Sequence, residues 1–253
     1  LWQRLSTELV SQELMDVFNL ETKLFPCLVD MRFKGVRVDL EHAAKLKKNL
    51  IVRENKILSK IKELTGINVE IHAARSIAKA FDKLKLPYDR TEKSNEPSFT
   101  KNFLQNHPHE LARSIADARE INKAHTTFID SITKHSAKGR IHADINQIRS
   151  DQGGTVTGRF SMSNPNLQQI PARHPEIGPM IRSIFIPEEK TVWGSFDYSQ
   201  QEPRILVHYA KLQNLDGVDE IVNAYNEGDA DFHQVVADMA GIERKQAKTI
   251  NLG

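Results

Sequence analysis

Apolar residues recur at helical spacing in two long stretches of the first half of the chain. In residues 40–64 they occupy positions 46, 50, 57, 61 and 64, and in residues 110–132 they occupy positions 111, 115, 118, 121, 128 and 132. Spacings of three and four residues place side chains on one face of an α-helix. The pattern therefore predicts two long amphipathic helices. Residues 67–110, interrupted by Pro87, Pro97 and Pro108, predict short helices and loops.

The pattern changes at Gly139. Apolar residues alternate with polar neighbours across 139–150, and residues 191–199 are also apolar-rich, so both stretches predict strands. Residues 200–212 predict a helix with four apolar side chains toward a core, namely Ile205, Leu206, Tyr209 and Leu212. Two further helices, separated by Gly241, are predicted over 230–253.

Composition places the chain among globular proteins. Its 253 residues suit one large domain or two smaller ones, and 39% hydrophobic with 27% charged residues exclude the disordered and fibrous classes. The net charge of +2 is too balanced to indicate a nucleic-acid partner, so any such signal must be local.

The single cysteine, Cys27, cannot form an internal disulfide and is interpreted as a small buried residue, which fits a reducing compartment. No apolar run approaches the roughly 18 residues of a membrane span. The start at Leu1 has neither an initiator Met nor a secretory pattern, and suggests a cut within a longer protein. These features predict a cytoplasmic location.

The first long helix is basic. Between positions 41 and 63 it carries seven Lys or Arg residues against three acidic ones. In isolation a solvated charged face is the favoured interpretation, and a stripe that follows a phosphate backbone is the alternative. The basic residues are Lys45, Lys47, Lys48, Arg53, Lys56, Lys60 and Lys62.

Acidic residues follow the second predicted strand. Asp197 stands where the strand gives way to a helix, so it either caps that helix, the favoured interpretation in isolation, or binds a hard cation such as Mg²⁺. Ser199 and Glu202 match the S-x-x-E capping box, and Pro203 suits a first helical turn. Glu202 is also close enough in sequence to face a substrate sugar, and spacing alone leaves both roles open.

Two loop segments and the last helices offer groups for nucleic acid or phosphate. In the segment TGRFS, glycine permits close backbone approach and Arg159 can bind a phosphate or a base edge. The segment PNLQQIPAR supplies Asn166, Gln168 and Arg173, which suit either base edges and sugars or a loop that satisfies its own backbone. The cationic candidates on the last helices are His233, Arg244 and Lys248; singly, each is more typical of a surface residue.

Taken together, TGRFS, PNLQQIP, DYSQQEPR and RKQAKTINLG resemble, in order, four characteristic segments of the family A DNA polymerases, which include bacterial DNA polymerase I and its phage relatives. The turn GVRVD at 35–39 and the helices after it resemble the passage from palm to thumb in that family more loosely. The resemblance covers nearly the whole chain, and residues 68–110 are the least constrained.

The resemblance implies an α+β fold of the right-hand polymerase architecture, with a helical thumb on a partial antiparallel-sheet palm. Residues 1–40 would form a linker helix and the start of the palm, 41–138 the thumb, 139–213 the palm with the first catalytic carboxylate, and 214–253 the beginning of the fingers. The implied activity is template-directed transfer of a deoxynucleotide to a primer 3′-hydroxyl by two-metal catalysis with Mg²⁺.

The resemblance also implies residue roles. Asp197 and the backbone carbonyl of Tyr198 would bind the metal, Glu202 would exclude a ribose 2′-hydroxyl, and Lys248 would join Asp197 and Glu202 in catalysis. The nucleotide would be bound by Tyr198, Gln200, Glu202, His233, Arg244, Lys248 and Leu252. Primer-template DNA would be bound by Arg159, Asn166, Gln168, Arg173, Lys47, Lys48 and Arg53.

Three residues depart from the family pattern. Gln201 and Pro203 replace apolar residues beside Asp197, and Leu252 stands where an aromatic residue is usual, which predicts atypical sugar discrimination. The second catalytic aspartate of the family lies in a His-Asp-Glu triplet that does not occur in residues 1–253. We therefore expect a polymerase fragment that needs a complementary C-terminal fragment. The alternative is a non-catalytic module that binds duplex DNA.

Overall fold

The computed structural model divides the chain into two units, residues 1–192 and residues 193–253. It describes residues 1–151, 153–172, 174–228 and 231–252, without the side chains of Met239, Asn251 and Leu252. The helices are α1 (Trp2–Ser11), α2 (Met15–Lys34), α3 (Leu40–Thr65), α4 (Ala74–Lys83), α5 (Lys101–Asn106), α6 (Glu110–Lys123), α7 (Asp130–Lys134), α8 (Ile177–Arg182), α9 (Gln201–Leu212), α10 (Val218–Glu227), α11 (Phe232–Ala240) and α12 (Arg244–Leu252). The strands are β1 (Val36–Arg37), β2 (Asp89–Arg90), β3 (Pro97–Ser98), β4 (Ser136–Ala137), β5 (Arg140–Ile141), β6 (Asp144–Asn146) and β7 (Ser161–Ser163).

The predicted basic helix forms as α3. Asp39 caps its start, where the carboxylate accepts a hydrogen bond of 2.8 Å from the His42 amide, and Gly66 ends it in the left-handed conformation. Leu50 and Ile61 of the predicted apolar face are buried. The prediction of an amphipathic helix is confirmed.

The second predicted helix forms with an interruption. A π-helical turn, Ala124–Ile129, separates α6 from α7, so residues 110–134 are one helical run that contains a wider turn. Leu111, Ile115 and Ile132 are buried, as the periodicity predicts.

The strands are short and antiparallel. β1, β5 and β4 form a three-stranded sheet in that order, with Val36 opposite Ile141, and β6 pairs with β7. The single strand predicted over 139–150 is therefore two short strands in different sheets. Gly35 precedes β1 with φ +62°, and a Cβ there would lie 2.6 Å from the Ile141 carbonyl oxygen, so the position requires glycine.

Two apolar cores fill the first unit. One is formed by the C-terminal half of α3 with α4, α5 and α6, around Phe81, Leu104 and Ile115. The other joins α3, the π-helical turn, α7 and α8, around Leu50 and Ile181. By contrast, α1 buries none of its residues and α2 only Leu28.

Two predictions, one of a strand and one of a buried residue, are wrong. Residues 191–198 form no regular structure, and Val192 and Phe196 are 88% and 97% exposed. A strand needs a neighbour for its backbone groups, and the described residues supply none to this segment. Cys27 is exposed rather than buried.

The predicted face of α9 is also wrong. Ile205, Leu206, Tyr209 and Leu212 are exposed, whereas Pro203 and Val207 are the buried residues of this helix. The reason is that α9 packs against α10 in the second unit, which covers only one narrow stripe of it. No described helix is long and apolar enough to cross a membrane.

Candidate functional site

The candidate carboxylates lie at an exposed turn in the second unit. Asp197 and Tyr198 precede α9 and are exposed, and Glu202 is exposed in its first turn. Gln200 is the N-cap residue, with φ +54°, and no side chain makes a capping hydrogen bond. The two capping interpretations of the sequence are therefore wrong, because neither Asp197 nor the Ser199–Glu202 box caps α9.

Gln200 connects this turn to two other helices. Its Oε1 accepts a hydrogen bond of 3.1 Å from the Phe232 amide, at the start of α11, and one of 3.3 Å from the Tyr225 hydroxyl of α10. Arg204 supports the same turn, because its Nε donates to the Ser199 carbonyl at 3.0 Å and its guanidinium lies 4.5 Å from the centre of the Tyr225 ring. The turn that carries Asp197 is thereby tied to the helix that carries His233.

A second contact joins α11 to α12. Asp231 caps α11, since its Oδ1 accepts from the amides of His233 and Gln234 at 3.1 and 3.2 Å, while its Oδ2 accepts from Arg244 Nε at 2.6 Å. The hydrogen bond from Arg244 lowers the pKa of the Asp231 carboxyl, with further lowering from the two backbone amides.

The remaining candidates of the second unit differ in exposure. His233 is only 5% exposed, whereas Lys248 is exposed one turn beyond Arg244 on α12. The predicted role of Leu252 falls on a side chain outside the described residues. The structure thus brings Gln200, His233 and Arg244 together around the start of α11.

In the first unit, the amide residues of the PNLQQIPAR segment bind the loop itself. Asn166 Oδ1 accepts from the Gln168 amide at 3.1 Å, and Gln168 Nε2 donates to the Phe160 carbonyl at 3.0 Å. Arg159, within the TGRFS segment, is exposed. Arg173 lies outside the described residues. The interpretation of a loop that satisfies its own backbone therefore describes Asn166 and Gln168, and Arg159 is an exposed cation among the described residues of the two segments.

The basic stripe of α3 is partly neutralised by ion pairs. Lys47 binds Asp130 at 2.5 Å, and both terminal nitrogens of Arg53 bind Glu176, at 2.6 and 3.0 Å. The Arg53 hydrogen bonds lower the pKa of the Glu176 carboxyl despite slight desolvation. Lys48 is exposed.

Sequence reasoning counted Glu54 among the solvated charges of α3, but it is 8% exposed. Its carboxylate lies 2.5 Å from His125 Nε2 and accepts a hydrogen bond of 2.9 Å from Asn122 Nδ2. The sequence contained a signal for the burial of Glu54, because position 54 lies between positions 50 and 57 on the apolar face of α3. Asp231, Arg204 and Tyr225 were also missed.

The described residues contain no group of three or more His, Cys, Asp or Glu side chains that could hold a metal ion. Asp197 and the Tyr198 carbonyl are oxygen donors at one exposed turn. Mg²⁺ usually takes one or two protein carboxylates and completes its shell with water and substrate phosphates, so this partial donor set fits Mg²⁺.

Comparison with known proteins now identifies the family. The sequence model that describes DNA polymerase family A matches residues 40–253, a range that contains all four motif segments. The chain belongs to DNA polymerase family A.

Curated members of family A match nearly the whole chain. A DNA-directed DNA polymerase of Pseudomonas phage M6 is 36% identical over 99% of this chain, and the DNA polymerase DpoZ of Acinetobacter phage SH-Ab 15497 is 33% identical over 100%. The thermostable DNA polymerase I of Thermus aquaticus is 32% identical over 100% of the chain. The chain spans 40%, 44% and 30% of these relatives, respectively.

A solved structure shows the same fold. The POL domain of Pol1 from M. smegmatis, in complex with DNA primer-template and dNTP, matches with a TM-score of 0.76 at 23% identity. The match covers 98% of this chain and 44% of the Pol1 chain. The mixture of helices with small antiparallel sheets is therefore that of a polymerase domain.

Proposed function

We propose that this chain supplies one part of a template-directed DNA polymerase, which joins a deoxynucleotide to a primer 3′-hydroxyl. In this reaction the primer 3′-oxygen forms a bond to the α-phosphorus of the nucleotide. The bond between the α-phosphorus and the oxygen that bridges it to the β-phosphorus breaks, and pyrophosphate leaves with that oxygen. The remainder of the active site would come from polypeptide equivalent to the part of the relatives that this chain does not span.

The observation that carries the proposal is the link from Gln200 to the start of α11. The hydrogen bond to the Phe232 amide joins the turn bearing Asp197 to the helix bearing His233, and Asp231 continues the link to Arg244. Thus the turn that bears the candidate metal carboxylate is joined by hydrogen bonds to the helix that bears His233 and, through Asp231, to Arg244. A polymerase needs a carboxylate for a metal and cationic groups for a triphosphate in one site.

Each group has a defined task in this proposal. The Asp197 carboxylate and the Tyr198 carbonyl would hold Mg²⁺, which, when bound, activates the 3′-hydroxyl and neutralises charge on the pyrophosphate. Arg244 and Lys248, four residues apart on α12, would bind the triphosphate, which would offset their mutual repulsion. Glu202 would lie where a ribose 2′-hydroxyl intrudes and would favour deoxynucleotides.

For DNA, the proposal relies on the first unit. Lys48 and Arg159 are its exposed cations among the residues implied by the resemblance, and we assign them to phosphates or base edges of the primer-template. To bind DNA, Lys47 and Arg53 would have to bind phosphates in addition to their acidic partners or in place of them. Residues 41–138 would be the thumb, 139–213 the palm and 214–253 the start of the fingers.

Primer extension tests the proposal. The chain is combined with polypeptide that completes a family A polymerase, primer-template, Mg²⁺ and deoxynucleotides, and Asp197→Ala is compared with Asp216→Ala, which alters another exposed acid of the second unit. We expect Asp197→Ala to reduce extension by about a thousandfold or more, because the metal loses a carboxylate, and Asp216→Ala to leave it unchanged.

No extension by the folded, unsubstituted pair would disprove the proposal. Salt-sensitive DNA binding without synthesis would instead support a non-catalytic duplex-binding module.

A further inference from the structure

Asp231 binds Arg244 in the second unit, and neither the motif segments nor the family resemblance assigned it a role. It is the N-cap residue of α11 and precedes His233 by two residues. Its carboxylate meets three donors: two amides of α11 through Oδ1 and Arg244 through Oδ2.

The contact with Arg244 uses a particular edge of the guanidinium. Arg244 donates through Nε, the nitrogen nearest the chain, at 2.6 Å. A guanidinium has five N–H donors in one plane, so a contact at Nε fixes that plane while its four terminal N–H groups extend farther from the backbone. The Arg244 side chain remains 48% exposed and that of Asp231 35% exposed.

The Asp231 carboxylate both caps α11 and binds Arg244, and the first contact supports the second. Because Oδ1 is held by the first turn of α11, Oδ2 is itself fixed in position and can orient Arg244 across the gap between α11 and α12. A long arginine side chain loses considerable rotamer entropy on binding a ligand, and a contact made beforehand reduces that loss.

From these contacts, and resting on the proposed function, we infer that Asp231 is a positioning residue that holds Arg244 ready for the triphosphate of the incoming nucleotide. The opposite effect, competition between the carboxylate and the phosphates for Arg244, predicts tighter nucleotide binding when the charge is removed. The sign of the change in affinity distinguishes the two.

Asp231→Asn is the informative substitution, because asparagine caps helices as well as aspartate does but lacks the negative charge that Arg244 binds. Asp238→Asn is the matched control, because it alters an exposed aspartate of the same helix that accepts a hydrogen bond from Gln234 Nε2. The assay is equilibrium binding of the next deoxynucleotide to the completed polymerase on a dideoxy-terminated primer-template, which measures affinity without chemistry.

We expect Asp231→Asn to raise the nucleotide dissociation constant about fivefold, the factor that one net hydrogen bond contributes. Asp238→Asn should leave it unchanged. In an Arg244→Ala background, Asp231→Asn should have no further effect, since its action passes through Arg244. Thermal unfolding confirms that each variant is folded, and Asp231→Ser, which also caps, replaces any Asp231→Asn protein that is not.

An unchanged or lower dissociation constant in Asp231→Asn would overturn the inference, as would an equal increase in the Arg244→Ala background. Failure of the proposed function gives a different result, because the unsubstituted polymerase would then show no template-dependent nucleotide binding at all.

Discussion

His125 Nε2 lies 2.5 Å from Glu54 Oε2 between α3 and the π-helical turn of the first unit, and both residues are buried. Asn122 donates to the other oxygen of the same carboxylate. The charged residue of a basic, outwardly polar helix is thus the acceptor of an internal hydrogen-bond network. Groups of this kind are costly to leave without partners.

Removal of this acceptor should destabilise the protein. We expect Glu54→Ala to lower the free energy of unfolding by about 3 kcal/mol, because His125 loses a buried hydrogen bond and Asn122 a partly buried one. Glu63→Ala, an exposed substitution on the same helix, should change it by less than about 0.5 kcal/mol. Urea denaturation of both variants provides the measurement, and equal values would refute the structural role of Glu54.

Two glycines of the segment between β6 and β7 should respond differently to alanine. Gly154 has φ +96°, and a Cβ there would lie 2.2 Å from the Ile148 carbonyl oxygen, whereas Gly158 has φ +74° and no atom of the described residues lies within 4 Å of a Cβ there. Gly158→Ala should cost about 1 kcal/mol from backbone strain alone, and Gly154→Ala clearly more. Unfolding midpoints test this order, and a smaller loss for Gly154→Ala would contradict it.

The Arg53–Glu176 pair predicts a specific pH dependence. Hydrogen bonds from Arg53 lower the pKa of Glu176, so the stabilisation is present above the usual glutamate pKa of about 4.3 and is lost as the pH falls through the lower folded value. Both side chains are partly exposed, so the contribution is small, about 0.5 kcal/mol.

Carboxyl NMR titration measures this pKa directly. In Arg53→Met the pKa of Glu176 should return to the usual range, and the difference in stability between pH 7 and pH 3 should decrease. Identical Glu176 titrations in both proteins would show that the pair does not persist in solution.

Gln200 should matter through its acceptor oxygen. Gln200→Ala removes the partner of the Phe232 amide and of the Tyr225 hydroxyl, so we expect the free energy of unfolding of the second unit to decrease by about 1–2 kcal/mol. Gln213→Ala, at the exposed end of α9, is the matched substitution and should be nearly neutral. Hydrogen exchange of the Phe232 amide should accelerate in the first variant only; unchanged protection there would argue against this contact.

The sequence predicted those elements that depend on local periodicity. The bounds of α3 follow from the apolar spacing and from Asp39 and Gly66, which begin and end the helix. It failed for residues 191–198 because the formation of a strand depends on a partner that lies elsewhere in the chain or outside it. The prediction of the buried face of α9 failed for a similar reason, because the burial of a helix face depends on which neighbouring element covers it.

For the candidate site, the family resemblance implied roles for Asp197, Gln200, His233 and Arg244, and the structure connects the last three through the start of α11. Asp231 was not identified, because an aspartate before a helix is an ordinary cap until the position of Arg244 is known. Contacts between residues 13 positions apart on different helices are not encoded in any local pattern.

The π-helical turn at Ala124–Ile129 has a consequence for how the first unit is assembled. Successive side chains of an α-helix differ in direction by about 100°. One additional residue within a single turn therefore changes the direction of all the side chains that follow it. Leu111 and Ile115 of α6 enter one core, whereas Ile121, just before the π-helical turn, enters the other together with Ile129 and Ile132. The helical run of residues 110–134 thus contributes side chains to both cores. At the π-helical turn the number of residues is therefore constrained by the structure as much as their identity is.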